Sequence, residues 1–209
     1  MLATAASPAS SSHILWYLTR GTGVVALVLL TITVALGIAN QMRLQSARVP
    51  RFVIDSVHRS ASLLAVSFVL VHIATTVLDN YVSISLINAV LPFSGTYKPF
   101  WLGLGAISFD LLIAVALTSM LRRHIGHRAW RATHWLAYLS WPVALVHGIG
   151  IGSDRHAHWM LALTAACVLI VLAAVVARIS QGSSPPALQP RPGRPRTRVS
   201  ALTGPAAGR

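Results

Sequence analysis

The sequence contains little charge and very few acidic residues. Only 10% of its 209 residues are charged, glutamate is absent, and the acids are Asp55, Asp79, Asp110 and Asp154. Typical soluble domains carry about 25% charged residues, and chemistry based on paired carboxylates has few candidates here. A single cysteine, Cys167, excludes a disulfide framework, a zinc finger and a cysteine-ligated iron–sulfur cluster. Covalent c-type haem attachment is excluded as well, because no CxxCH motif is present.

Apolar runs are abundant instead. The chain is 55% hydrophobic with a mean hydropathy of +0.66, which indicates an integral membrane protein. A membrane-spanning helix needs about 20 apolar residues. The fold class predicted is all-α, a polytopic bundle of five transmembrane helices. These segments 1 to 5 cover residues 14–39, 57–79, 100–121, 131–151 and 157–178.

The two ends of the chain have a different composition. Residues 1–13 are mostly small and polar, and residues 179–209 are rich in proline, glycine, serine and arginine. Such segments cannot bury enough apolar surface to form a packed core. We therefore expect a disordered N-terminus, a membrane domain over residues 14–178 and a disordered basic tail.

The basic residues are distributed unevenly along the chain. Fourteen of the 17 lie in the tail and in the regions joining segments 1 to 2 and 3 to 4, whereas Arg20, Lys98 and Arg155 lie at the opposite ends of the segments. Cytoplasmic loops carry the excess of Lys and Arg. This predicts a multi-pass protein of the cell membrane with its N-terminus outside and its C-terminus in the cytoplasm. The net charge of +13 then reflects topology rather than nucleic-acid binding.

Four of the nine histidines fall inside predicted membrane segments. His58 and His72 are on segment 2, and His134 and His147 are on segment 4. A helix turns about 100° per residue and rises 1.5 Å, so His58 and His72 lie within about 40° of one face and about 21 Å apart along the axis. Segments 2 and 4 run in the same direction. His58 should therefore share the cytoplasmic level with His134, and His72 the outer level with His147.

The remaining five histidines are expected to be solvated. They are His13, His124, His127, His156 and His158.

Segment 4 has a less favourable spacing. His134 and His147 are thirteen residues apart, which leaves them about 140° out of register in an ideal helix. Pro142 lies between them, and proline kinks helices. We expect a kink to absorb part of this angle.

Facing imidazoles at two depths suit two haems, each held by a pair of histidines. Neutral imidazole is a good iron ligand, and cofactor sites between bundle helices are common. Ionisable residues inside a membrane are costly and indicate function by default. Three alternatives are a histidine-lined transporter or proton channel without haem, histidines that only bridge helices, and an inert membrane subunit that anchors a partner through its basic tail.

The paired spacings H-x13-H (His58, His72) and H-x12-H (His134, His147) resemble the ferric reductase-like transmembrane domain. NADPH oxidases, ferric reductases and the haem subunit of bacterial methionine sulfoxide reductase systems share this domain. The resemblance covers about residues 14–178. It implies two b-type haems, the inner on His58 and His134 and the outer on His72 and His147, that carry electrons from a cytoplasmic donor to an external acceptor.

The sequence departs from this family pattern in two ways. The family core commonly has six helices rather than five, so segment 1 corresponds to the family's second helix. No flavin- and nicotinamide-binding domain follows the membrane segments in this sequence. The chain is then expected to be an oxidoreductase component without its own NAD(P)H oxidation.

Its redox partners are expected to be separate molecules. The donor would be a separate flavoprotein reductase or a quinol, with FAD or FMN present only in a partner or at an unrecognised site. The acceptor would be a ferric chelate, dioxygen or a partner reductase. A methionine sulfoxide reductase receiving electrons from quinol or flavin is the alternative.

Three arginines are candidate contacts for haem propionates. Arg20 lies near the outer end of segment 1, where a propionate of the outer haem would satisfy its charge; snorkelling to headgroups is the alternative. Arg59 and Arg131 lie at the inner level, where topology and anionic lipid explain them equally well. Asp110, inside segment 3, has three open roles: pairing with Arg20, hydrogen bonding within the bundle, or proton relay.

Overall fold

The structure is a computed structural model that describes residues 8–42, 50–79, 82 and 84–182. These residues form α-helices and no β-strand, which confirms the all-α fold class. The helices are α1 (Pro8–Gln41), α2 (Arg51–Leu78), α3 (Leu86–Val90), α4 (Pro99–Met120), α5 (Arg122–His134), α6 (Leu136–Ile151) and α7 (His158–Gly182).

Among the described residues, four helices are long and apolar enough to cross a membrane. They are α1, α2, α4 and α7, and they coincide with segments 1, 2, 3 and 5. Helix α1 begins at Pro8, a residue type that suits a first helical turn, so it extends through residues 8–13 of the expected terminal segment. Residues 1–7 and 183–209, and the loop arginines Arg43 and Arg48, lie outside the described residues.

Segment 4 forms two helices rather than one. Helix α5 ends at His134 and α6 starts at Leu136. With 16 residues, α6 is shorter than the roughly 20 needed to span a bilayer. The five-span arrangement therefore stays a prediction, as does the orientation of the termini.

The interruption lies at Trp135, and α6 continues through Pro142. The Trp135 N–H donates to the Ala132 carbonyl at 3.3 Å, and the Tyr138 N–H donates to the Trp135 carbonyl at 3.1 Å. Both bonds span three residues, as in a 3₁₀-helix, which turns about 120° per residue instead of about 100°. The tighter turn rotates His147 in the direction that reduces its mismatch with His134.

Helix α1 is the centre of the bundle. It packs against α2, α6 and α7, while α4 packs on α6. Every fourth residue of α1 is buried, which places one stripe of the helix against its neighbours. This stripe consists of Thr22, Ala26, Leu30, Val34 and Ile38.

Hydrogen bonds donated by side chains fix the spacing of α1, α4 and α6. Buried Ser108 of α4 and Ser140 of α6 each donate a hydroxyl to the other's carbonyl at 3.0 Å. The indole N–H of Trp141 donates to the Thr31 hydroxyl at 2.9 Å, which ties α6 to α1. Such bonds matter in a membrane because the lipid gives no hydrophobic drive for helix association.

Helix α3 is a short element that the sequence did not predict. Ser85 and Asn88 form a capping box at its start, and the buried Asn88 side chain donates to the Ser94 hydroxyl at 2.9 Å. The following segment returns against α4, where the Phe93 ring packs on Gly103.

Removing one hydroxyl of the serine pair should destabilise the bundle measurably. We expect Ser140→Ala to lower the free energy of unfolding by about 0.6–1.7 kcal/mol, the range for hydrogen bonds between membrane helices. Unfolding in mixed micelles measures this. Ser67→Ala is the control, because its hydroxyl bonds only within its own helix to Leu63. Equal stabilities of the two variants would contradict the role of the serine pair.

Candidate functional site

His58 and His134 face each other at one end of the bundle. His58 lies on α2 and His134 is the last residue of α5. Their ring centroids are 6.3 Å apart, with the ring planes at 64°. A metal bound to two imidazoles, with bonds of about 2 Å each, separates the ring centres by about 6 Å. The structure therefore brings the predicted inner pair together at a spacing that suits one metal atom.

His72 and His147 line a common cavity near the other end of the bundle. The cavity has a volume of about 1070 Å³, and most of its lining is apolar. Ligand pockets usually measure about 300–1,000 Å³, so this cavity is large enough for a flat apolar cofactor. The predicted outer pair is therefore also brought to one site.

Backbone carbonyls hold three of these four imidazoles. The Nδ1 atoms of His58, His72 and His147 lie 3.0, 2.8 and 2.7 Å from carbonyl oxygens. The acceptors are Thr33, Thr19 and Trp101, in that order. Because a carbonyl only accepts, each Nδ1 carries the proton and donates. Nε2 then keeps its lone pair, which is the arrangement found in metal-ligating histidines.

His134 is held differently. Its Nδ1 is buried and has no hydrogen-bond partner among the described residues. Its ring packs on Trp130, with the centroids 5.1 Å apart and the planes at 30°. The Arg122 guanidinium lies over Trp130, with its Cζ atom 5.2 Å from the centre of the Trp130 ring. The inner pair therefore combines one carbonyl-held imidazole with one held by aromatic packing.

Two buried hydroxyls also lack partners in the described part of the chain. They belong to Thr19 and Thr33, whose carbonyls hold His72 and His58. A buried polar group without a partner costs about 1–3 kcal/mol. Thr19 also lines the cavity with His72 and His147, so its hydroxyl is available to a molecule bound there. The residues lining that cavity fit a porphyrin with polar substituents.

The described residues contain no cluster of three or more side chains able to hold a metal ion. A haem does not need one, because the porphyrin supplies the remaining iron ligands. Pairs of histidines suit haem better than a bare metal ion.

Arg20 forms an ion pair with Asp154, in the loop between α6 and α7. Its guanidinium also lies 4.1 Å from the centre of the Trp16 ring. Arg20 lines the same cavity as His72. The anionic partner in the structure is therefore Asp154 rather than Asp110, and a propionate contact of Arg20 stays a prediction.

The other two predicted propionate contacts lie on the surface. Arg59 and Arg131 are exposed, and neither forms an ion pair with another described residue. Their roles stay predictions. Asp110 is partly exposed on α4.

The fold and the site thus define a helical membrane protein whose histidines lie in pairs between the helices. The family described as ferric reductase like transmembrane component matches residues 22–145, more than half of the chain. The chain belongs to this family, and the resemblance seen in the histidine spacings is confirmed. Family members typically bind haem and work with redox partners. The match includes His58, His72 and His134 and ends two residues before His147.

Comparison of the chain with curated proteins and with solved structures finds no match.

Several residues of the site were not found from the sequence. The sequence analysis gave Asp154 no role, and the carbonyls of Thr19, Thr33 and Trp101 carry no side-chain signal. A spacing could have indicated the threonines, since Thr19 and Thr33 are fourteen residues apart on α1, as His58 and His72 are on α2.

A double-mutant cycle of Arg20→Gln and Asp154→Asn should show coupling in the haem-free protein. We expect about 0.5–1 kcal/mol, because the pair is partly buried. If a haem propionate also contacts Arg20, the coupling falls when haem is added, since two anions then share one guanidinium. Unfolding of both forms in micelles gives the two values. A coupling unaffected by haem would contradict the propionate contact of Arg20.

Proposed function

We propose that this protein is a membrane b-type cytochrome that carries electrons across the bilayer through two haems. The observation that carries the proposal is the facing pair of His58 and His134, at a distance that suits one iron atom. The second pair, His72 and His147, lines a cavity of suitable size. Membership of the ferric reductase-like family supports the same conclusion.

In this proposal His58 and His134 hold the inner haem, and His72 and His147 hold the outer one. The bound haem iron supplies one-electron chemistry by changing between its ferric and ferrous states. The chain's own residues position the ligands: carbonyls orient three imidazoles, and Trp130 packs on the fourth. If each haem took both histidines of its pair, no coordination position would stay open, which would favour electron transfer over ligand binding at the metal.

The topology completes the proposal. Five crossings, with the N-terminus outside and the C-terminus in the cytoplasm of a cell-membrane protein, would place His58 and His134 on the cytoplasmic side. A separate flavoprotein or a quinol would donate electrons there. A ferric chelate, dioxygen or a partner reductase, such as a methionine sulfoxide reductase, would accept them outside. Arg20, Arg59 and Arg131 would contact propionates.

The purified protein should show the absorption spectrum of six-coordinate low-spin b-type haem, with about two haems per chain. His72→Ala should remove the outer haem and leave about one per chain, because each haem depends on its own histidine pair. The pyridine haemochrome assay measures the content. His124→Ala is the control, since this exposed histidine lies ten residues before His134 and is separated from it by the non-helical Gly126.

A colourless wild-type protein, expressed with ample haem, would refute the proposal. Proton flux into liposomes from such a colourless protein would instead support a histidine-lined channel. Loss of haem in His124→Ala but not in His72→Ala would refute the ligand assignment.

The orientation can be tested with single cysteines. In a Cys167→Ala background, we expect a membrane-impermeant maleimide to label Ser153→Cys on intact cells. It should label His124→Cys only after permeabilisation. Both positions are exposed, and they lie at opposite ends of the α5–α6 region. The reverse pattern would contradict the proposed topology.

A further inference from the structure

Three glycines lie against the histidines that carbonyls hold. A Cβ atom added to Gly23 would lie 3.0 Å from the Cε1 and Nδ1 atoms of His72, and one on Gly37 would lie 3.4 Å from Cε1 of His58. At Gly105 the added atom would lie 2.5 Å from Cε1 of His147. Real Cβ contacts shorter than 3.0 Å essentially never occur. Alanine at Gly105 would therefore displace the His147 ring.

Each glycine lies four residues after the residue whose carbonyl accepts the histidine N–H. The pairs are Thr19 with Gly23, Thr33 with Gly37, and Trp101 with Gly105. In an α-helix the carbonyl of residue i points at the N–H of residue i+4, so the side chain at i+4 stands beside that carbonyl. Glycine removes this side chain, and the imidazole can reach the second lone pair of the carbonyl oxygen.

This carbonyl–glycine unit, a residue whose carbonyl accepts the histidine N–H followed four residues later by a glycine, repeats with the spacing of the histidines. Two copies on α1 are fourteen residues apart, and so are His58 and His72 on α2. The first copy on α1 meets the later histidine and the second copy the earlier one, as antiparallel helices require. Not every membrane glycine is used in this way: added Cβ atoms at Gly21 and Gly148 would meet nothing within 4 Å.

We propose that Gly23 and Gly105 are positioning residues for the haem ligands His72 and His147; at Gly37, beside His58, an added Cβ would make only an ordinary van der Waals contact at 3.4 Å. Gly23 and Gly105 each give an imidazole access to a helix carbonyl, and the carbonyl fixes Nδ1 as the protonated nitrogen and directs Nε2 at the iron. The inference rests on the proposed function, since it assumes that haem binds these histidines. His134 has no such unit, so the two haems differ in the number of carbonyl-held ligands.

The unit should affect the reduction potential as well as haem retention. A hydrogen bond from Nδ1 to a carbonyl raises the basicity of the ligand, which stabilises ferric iron. Loss of that bond raises the midpoint potential of the haem concerned. The size of the effect should follow the distances at the three glycines, largest for Gly105, smaller for Gly23 and smallest for Gly37.

The test compares Gly105→Ala, Gly23→Ala and Gly37→Ala with the control variant Gly21→Ala, whose added Cβ would meet nothing within 4 Å. We expect Gly105→Ala to weaken outer-haem retention by about 10–100-fold, as for other outer-sphere changes, while the inner haem stays bound. Gly23→Ala should raise the potential of the outer haem, whereas Gly37→Ala should leave that of the inner haem nearly unchanged, because its added Cβ makes only an ordinary contact with His58. Redox titration and low-temperature EPR of the low-spin signals distinguish the two haems.

The outcomes separate the inference from the proposed function. Absence of haem in the wild type overturns both. Haem in the wild type, with Gly105→Ala and Gly23→Ala both matching Gly21→Ala in content, potential and EPR signals, overturns only the inference. If Gly105→Ala loses both haems through misfolding, Gly23→Ala decides: its added Cβ would lie 3.0 Å from the His72 ring, and an unchanged outer potential would refute the positioning role.

Discussion

The hydrogen bond from an imidazole N–H to a helix carbonyl is the interaction on which the arrangement of the site depends. It joins His58 and His72 of α2 to Thr33 and Thr19 of α1, and His147 of α6 to Trp101 of α4. Each bond offsets the cost of burying a polar ring, sets the tautomer, and fixes the register of two helices. Packing and ligand orientation are thus decided by the same contacts.

The rest of the bundle supports these contacts. Lipid solvates apolar side chains as well as a protein interior does, so small residues and hydrogen bonds decide how membrane helices approach. Between the two histidine levels, Ser108 with Ser140 and Trp141 with Thr31 hold α4, α6 and α1 together. The positions of His134 and His147 on either side of these bonds are therefore constrained from the middle of the bundle.

The two ends of the bundle differ in their charge and in how their histidines are held. Near the cavity with His72 and His147, Arg20 is neutralised by Asp154. Near His58 and His134, helix α5 carries no acid. Its Arg122 guanidinium packs on the Trp130 ring, and the Trp130 ring packs on His134. One end thus has a compensated charge beside an apolar cavity, and the other a basic, exposed helix.

The sequence alone determined the helical class and the segments matching the four long helices, because hydrophobic run length is a local property. It also predicted the two histidine pairs from helical spacing. It indicated the family as well, because the paired histidine spacings can be recognised in the sequence without knowing how the helices pack. It did not predict the break at Trp135, the Arg20–Asp154 pair or the carbonyl–glycine units. These depend on which helices meet and at what register, and a backbone carbonyl has no letter of its own in a sequence. Only the tertiary structure decided them, because the polar groups of an α-helix find outside partners only where another helix brings a donor within reach.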